Sequence, residues 1–160
     1  MTDNAARIHI AANDPAFAQK REAAVQAIAH AIAAVAIPFG YAQKGTTWAR
    51  STAAGKSAVH LQRSRYGFDA CINLRFVTPD GNLPESPVWQ DDEDVRIDRF
   101  YLPGENPDGQ NATMAYLDVI ENPERLAMAI RILKNRALPW LDAHHTGLPD
   151  IAAYLPEITG

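Results

Sequence analysis

Four residues with reactive or strongly polar side chains, His60, Gln62, Cys71 and Asn73, fall close together in the sequence. A thiol, an imidazole and an orienting amide are the groups that build a cysteine nucleophile. Catalytic thiols usually lie at a helix start or in an electropositive pocket, where the pKa of the thiol is lowered. Cys71 instead falls within an alternating apolar segment, so we interpret it as a partly buried structural thiol and predict no catalytic residue.

The amides of Gln62 and Asn73 are stronger candidates for recognition. Their donors and acceptors could bind a ligand or the backbone of a partner, or they could fasten the sheet to a neighbouring element. We favour the second role, because most buried amides serve it. Together with nearby polar residues they give the candidate set for ligand or partner binding: Arg50, His60, Gln62, Ser64, Asn73 and Arg75.

Four arginines, Arg50, Arg63, Arg65 and Arg75, accompany these residues along the same stretch. On one hypothesis they form a basic strip that binds an anion. On the other they belong to a solvated strand face and pair with Asp69 and other acids. We favour the solvated face, because exposed strands commonly carry charge.

Two groups of residues have some metal-ligand character. Asp142, His144 and His145 are the densest set, but their spacing follows no zinc pattern, and histidines at a helix end also suit the helix macrodipole. The acidic run at residues 91–94 lacks the alternation and glycine of a calcium loop. We read it as a solvated loop that could also steer a basic partner. No metal and no cofactor is predicted.

An N-terminal helix is predicted over residues 14–37. Asp14 suits the N-cap and Pro15 the first helical position, and Pro38 and Gly40 end the helix. Its apolar positions recur at three- and four-residue steps. They are Phe17, Val25, Ile28, Ile32 and Val35.

Residues 41–102 change to a two-residue period and predict an antiparallel sheet, with strands over 46–51, 57–65, 68–78 and 95–102. The alternation also fixes the register of the central hairpin, because a slip of one residue would mix its apolar and polar faces. With Ser64 opposite Asp69, the predicted pairs are Leu61 with Ile72, Val59 with Leu74, Gln62 with Cys71 and His60 with Asn73.

Residues 112–155 are predicted to be helical. A short helix covers 112–120, a longer one begins at Asn122 and is interrupted by Pro139, and a last one covers 149–155. With no repeat or linker, residues 1–160 form a single domain. The predicted class is α+β, with a largely antiparallel sheet of about four strands packed against an N-terminal helix and C-terminal helices.

Short motifs in the sheet region resemble a known bacterial family. They are Gly45-Thr46-Thr47-Trp48-Ala49-Arg50, Leu61-Gln62-Arg63-Ser64 and Ile72-Asn73-Leu74, followed near the C-terminus by Ala137-Leu138-Pro139-Trp140-Leu141. This pattern is similar to the bacterial domain-of-unknown-function family numbered 4304. The resemblance implies an α+β fold with a largely antiparallel sheet, and it brings no catalytic residue or cofactor.

Composition limits the cellular compartment and the classes of partner that we expect. The net charge of −4 argues against a phosphate-backbone ligand, so nucleic acid is disfavoured. Cys71 is the only cysteine, which excludes an internal disulfide and suits a reducing compartment. The N-terminus lacks a secretory pattern, and the apolar run over 23–37 is too short to span a bilayer, so we predict a cytoplasmic protein without a membrane partner.

Two functional hypotheses follow. The first is a non-enzymatic binding or accessory protein, immunity-like in character, which presents a polar sheet face or the acidic loop to a protein partner. A homodimer is also open. The alternative is a small-ligand-binding protein or hydrolase-like enzyme with a pocket around His60, Gln62, Cys71 and Asn73.

Overall fold

A computed structural model describes residues 13–63, 69–79, 95–102, 105, 114–147 and 151–155 of the chain. The chain forms an N-terminal helix, then an antiparallel sheet, then a run of helices, which confirms the predicted α+β class. The helices are α1 (Phe17–Ala36), α2 (Tyr116–Glu121), α3 (Pro123–Ile132) and α4 (Leu138–Ala143). The strands are β1 (Ala42–Lys44), β2 (Thr47–Thr52), β3 (Gly55–Arg63), β4 (Asp69–Val77), β5 (Val95–Arg96) and β6 (Met114–Ala115).

Helix α1 begins slightly later than predicted. Asp14 and Pro15 form a turn before it, in which Asp14 Oδ1 accepts a hydrogen bond of 2.8 Å from the backbone N–H of Ala16. The helix proper starts at Phe17 and passes into a 3₁₀ turn over Ile37–Phe39. Gly40 ends it with a left-handed φ of 92°, which glycine adopts without steric cost.

The predicted apolar stripe of α1 is buried against the sheet. Phe17, Val25, Ile28 and Ile32 are buried, and Val35 packs beside them partly buried. The apolar run over 23–37 was expected to be too short to span a bilayer, but it belongs to the longer segment Phe17–Phe39, which is long and apolar enough to cross a membrane by length and composition alone. In this segment 28% of the apolar window is buried inside the protein. The buried stripe places this helix in the core that also contains the apolar face of the sheet and the other helices.

Five of the six described strands follow the order β1-β2-β3-β4-β5, and β6 pairs with β4 off this path. All pairs are antiparallel. The prediction of about four strands missed β1, which turns into β2 through Gly45, a glycine with φ of 62°. The strand predicted over 95–102 is present but shorter than predicted: Val95–Arg96 pair with β4, and Ile97–Phe100 form a 3₁₀ turn whose apolar side chains enter the core.

The central hairpin has the predicted register. In it Val59 lies opposite Leu74, Leu61 opposite Ile72, His60 opposite Asn73 and Gln62 opposite Cys71. The apolar members of these pairs belong to the core that α1 covers. Ser64 and the tip of the hairpin lie outside the described residues.

The C-terminal helices differ from the prediction at both ends. The first begins at Tyr116, since Met114–Ala115 extend the sheet instead, and the last is a 3₁₀ turn over Ile151–Tyr154. Pro139 does not interrupt the helix. A π-helical segment over Leu133–Ala137 precedes it, in which the N–H of Leu138 bonds to the carbonyl of Leu133. Pro139 therefore falls in the first turn of α4, where its missing N–H leaves no bond broken.

Candidate functional site

The predicted recognition amides meet across the central hairpin. Asn73 Nδ2 donates to Gln62 Oε1 at 2.7 Å. Cys71 Sγ lies 3.6 Å from that same oxygen and 3.7 Å from Asn73 Oδ1. On the neighbouring strand, His60 Nδ1 shares a hydrogen bond of 3.0 Å with the hydroxyl of Thr47. The four residues singled out for chemistry are thus held by each other and by the sheet.

This polar side of the hairpin is closed to solvent. The exposed fraction is 1% for His60, 1% for Asn73 and 3% for Arg75, and Cys71 is buried too. The expected solvated face is therefore wrong for Arg75. The rule that exposed strands carry charge applies to sheet edges, whereas Arg75 lies in β4, between β3 and β5.

The arginines do not form a common basic strip. Strand pairing places Arg50 and Arg63 on the side of the sheet that faces the helices, while Arg75 lies on the opposite side. Arg63 Nη2 bonds to Glu22 Oε1 of α1 at 2.7 Å, and Arg50 forms an ion pair with Asp142 of α4. Each of these two arginines ties a strand to a helix. Arg65 and Ser64 lie outside the described residues.

A second polar cluster, which sequence reasoning missed as a unit, joins the ends of β2 and β3 to the end of α4. His145 Nδ1 is bonded to Thr52 Oγ1 at 2.5 Å, and His145 Nε2 to Ser57 Oγ at 2.9 Å. The ion pair of Arg50 with Asp142 lies beside them. We call these five residues the histidine latch, since they fasten the last described helix to the sheet.

Aromatic rings set the position of the imidazoles. Phe76 stacks on His144 at a centroid distance of 5.0 Å and meets His145 edge-on at 5.1 Å. Trp140 packs edge-on against His144 at 4.4 Å, and His144 Nδ1 bonds to the carbonyl of Trp140 at 3.1 Å. The described residues contain no group of three potential metal ligands. His144 and His145 act there as packing and hydrogen-bonding groups.

The surroundings of His144 and His145 favour neutral imidazoles. Burial lowers the pKa of His144, and burial, followed by the charges of Arg50 and His144, lowers the pKa of His145. A neutral imidazole donates from one nitrogen and accepts at the other, which suits the two hydroxyls on His145. Ser57 beside this base has an exposed fraction of 0%. The Ser57 hydroxyl is therefore out of reach of a substrate, and its bond to His145 ties the sheet to the end of α4.

Mild acid is expected to weaken the fold through His144 and through His145 of the histidine latch. Because the folded pKa of His144 and of His145 lies below the ordinary value of 6.5, the unfolded chain binds protons first. The free energy of unfolding should be highest above the ordinary pKa, fall as the pH drops below it, and level off below the folded pKa. Urea unfolding at closely spaced pH values between pH 7.5 and about 5 measures this slope.

The matched variant for the acid effect is His145→Gln, which keeps an amide for hydrogen bonding but cannot titrate. Its stability should fall less over the same pH interval than that of the wild type. An unchanged slope in this variant would contradict the assignment. His30→Gln, which changes an exposed histidine on α1, serves as the control and should keep the wild-type slope.

Among the described residues, two open cavities lie on the helical side of the molecule. The larger, with a volume of about 570 Å³, runs between α1 and α3. Its lining is apolar except at one end and consists of Ala31, Val35, Pro123, Leu126, Ala127, Ile130, Arg131, Lys134 and Asn135. We call it the helix groove. No prediction from sequence identified this groove, because its apolar lining residues on α1 and α3 also fit the buried faces of the two helices.

The second cavity adjoins the helix groove. It has a volume of about 450 Å³ and shares Arg131 and Asn135 with the groove. Its other lining residues come from the end of α3, the π-helical segment and the last 3₁₀ turn: Ile132, Arg136, Ala153, Tyr154 and Leu155. We call it the arginine pocket. None of the predicted candidate residues lines either cavity.

These features define an α+β protein with a meandering antiparallel sheet whose described helices cover one face. Comparison with family models, curated proteins and solved structures finds no match for this chain. The resemblance to family 4304 stays a prediction. The site must therefore be read from its own geometry.

Proposed function

We propose that this chain is a non-enzymatic accessory protein that binds a partner protein in its helix groove. The partner contributes an amphipathic helix, whose apolar side chains fill the space between α1 and α3. The class of function is the one expected from sequence, a non-enzymatic binding protein. The binding surface is now the helix groove instead of the polar sheet face or the acidic loop. The polar sheet face is buried, and the acidic residues 91–94 lie outside the described part of the chain.

The observation that carries the proposal is the apolar lining of an open groove. Leu126 and Ile130 lie one helical turn apart on α3 and are only partly buried, and Ala127 is exposed between them. Val35 faces them from α1, also partly buried. Helical partners commonly bind such grooves with apolar residues spaced three and four apart. Burial of this surface would supply the hydrophobic part of the binding free energy.

The enzyme alternative has weaker support. A pocket around His60, Gln62, Cys71 and Asn73 would need reactive side chains that a substrate can reach. His60 and Asn73 are almost fully buried, and the Gln62 amide is bonded to Asn73. A thiol with its neighbouring amides engaged in this way is a structural group more often than a nucleophile. Binding of a partner in the helix groove does not depend on these buried side chains.

Site-specific crosslinking in the native host tests the proposal. A photo-reactive amino acid at Ala127, exposed in the groove, should capture one stoichiometric partner through a helical segment. The same amino acid at Ala53, exposed in the turn between β2 and β3, should not. Equal capture from both positions, or capture of a partner segment that is not helical, would count against the groove.

The purified partner then gives the quantitative check. Ala127→Glu places a charged side chain in the apolar groove and should weaken binding by about tenfold or more in calorimetry, because docking of the apolar helix would then desolvate this carboxylate and its neighbour Arg131. Ala53→Glu should leave the affinity unchanged. Retention of full affinity by Ala127→Glu, with an unaltered circular dichroism spectrum, would refute the proposal.

We infer a reducing, cytoplasmic location from the lone cysteine. A bacterial source is what the resemblance to family 4304 implies. A homodimer would use the same groove, so a second copy captured at Ala127 would make the partner the chain itself. Sedimentation of the purified protein then separates the two cases, since a heteromeric partner leaves the isolated chain monomeric.

A further inference from the structure

The basic end of the helix groove opens into the arginine pocket. Arg131 and Asn135 line both cavities, one turn apart on the α3 and π-helical surface. Arg131 is exposed, and its Nη2 donates to Met128 Sδ at 2.9 Å. A thioether is a weak acceptor, and a guanidinium carries five donors. The side chain is thus positioned at the junction by a contact that an anion would outcompete.

Among the residues that the structure describes around this junction, cations outnumber carboxylates. Arg131, Lys134 and Arg136 contribute three cations. Glu105 is the carboxylate paired with Arg136, at 2.5 Å between Nη1 and Oε1 and 2.8 Å between Nη2 and Oε2. That pair is satisfied within the protein. Arg131 and Lys134 remain as exposed cations at the edge of an apolar surface.

We propose that the arginine pocket binds a carboxylate side chain of the partner helix. This rests on the proposed function and adds the chemistry of the partner. An aspartate or glutamate one or two turns from the apolar anchors would accept hydrogen bonds from the guanidinium of Arg131 and the amide of Asn135. Arginine binds a carboxylate in a two-pronged geometry, which fixes the register of the docked helix as well as its charge.

The length of the groove limits the position of that acid. Helix α3 has 10 residues, and at a rise of about 1.5 Å per residue it spans roughly 15 Å. The apolar anchors of the partner lie along this span, and Arg131 lies at its C-terminal end. The carboxylate must therefore follow the apolar residues at one end of the bound segment.

Three synthetic peptides test the inference. Each is a roughly 16-residue helix, capped at both ends, with the same leucine and alanine face. At the end beyond the apolar face, one carries two glutamates, one two glutamines and one two lysines. By fluorescence anisotropy the glutamate peptide should bind about fivefold or more tightly than the glutamine peptide, and the lysine peptide should bind most weakly.

The charge preference should depend on Arg131. In Arg131→Gln the glutamate and glutamine peptides should bind alike, whereas Lys44→Gln, which removes an exposed cation on β1, should keep the preference. Added salt should weaken only the glutamate peptide appreciably. Equal binding of the first two peptides to the wild type would overturn the carboxylate site, and so would a preference that survives Arg131→Gln. Binding of none of them would overturn it as well. The helix groove itself is judged separately by crosslinking at Ala127.

Discussion

Replacing Gly55 by alanine should lower the free energy of unfolding by about 3 kcal/mol, the sum of backbone strain and overpacking. Gly55 has φ of 148°, a conformation that residues with a side chain rarely adopt. A Cβ atom there would lie 2.3 Å from the carbonyl oxygen of Val77 and 2.6 Å from Cζ of Phe76. The backbone oxygen cannot move away without breaking the pairing of β3 with β4.

This substitution should also disturb the histidine latch, because the displaced Phe76 ring is the one that packs on His144 and His145. Guanidinium unfolding measures the loss of stability, and the imidazole chemical shifts report the displaced rings. The matched control is Gly45→Ala. Gly45 also has a positive φ, 62°, but its Cβ would meet nothing within 4 Å. The control should lose only about 1 kcal/mol from backbone strain. Equal losses in the two variants would contradict the proposed clash.

Replacing Arg136 by methionine should cost about 2–3 kcal/mol, because it leaves a partly buried carboxylate without its partner. Arg136 makes a two-pronged ion pair with Glu105 and also donates to the carbonyl of Phe100 at 2.7 Å. Glu105 Oε1 in turn accepts from the backbone N–H of Leu102 at 2.5 Å. The network therefore connects the π-helical segment to the turn that follows β5.

A double-mutant cycle with Glu105→Gln isolates this interaction. The coupling should be favourable at neutral pH and should fade in acid. The guanidinium of Arg136 lowers the pKa of Glu105, so the stabilisation is present above the ordinary value of 4.5 and is lost as the pH falls through the folded pKa. Arg99→Met removes an exposed cation and should leave the stability nearly unchanged. A coupling that does not vary between pH 6 and pH 3 would refute the ion-pair account.

Local periodicity was enough to predict the central hairpin. The alternation on both strands predicts one register in which Leu61 meets Ile72, and the structure has that register. The stripe of α1 is predicted for the same reason, since a single surface buries it. These features depend on neighbours within a strand or a helix, and such information is present in a short stretch of sequence.

Features that depend on distant partners could not be predicted in this way. His145 meets Ser57 across 88 positions of the chain, and no spacing rule connects them. The burial of Arg75, which is 3% exposed, depends on what packs over that face of the sheet, and alternation within β4 does not reveal it. The helix groove likewise depends on how α1 and α3 lie relative to each other. The sequence pattern of each helix shows its apolar face but not which part of that face the other elements leave uncovered.

Pro139 shows how local rules can mislead when they meet a rarer geometry. Proline usually ends a helix because its ring clashes with the carbonyl four residues earlier. Here the preceding backbone is wound more widely, over Leu133–Ala137, and the helix continues to Ala143. The position of the proline in the sequence does not reveal the π-helical segment that precedes it.

The wide winding over Leu133–Ala137 also sets where this fold can accept a change in chain length. A π-helical turn holds about one residue more than an α-helical turn, so deleting one residue there should restore ordinary α-helical spacing and leave the downstream residues on their present faces. Asp142 would stay beside Arg50, and Trp140 beside Phe100, its edge-on neighbour at 5.4 Å. A deletion within α4 has no extra residue to absorb and should rotate the residues beyond it by about 100° around the helix axis. Descendants of this sequence should therefore vary in length within residues 133–137 more readily than within α4.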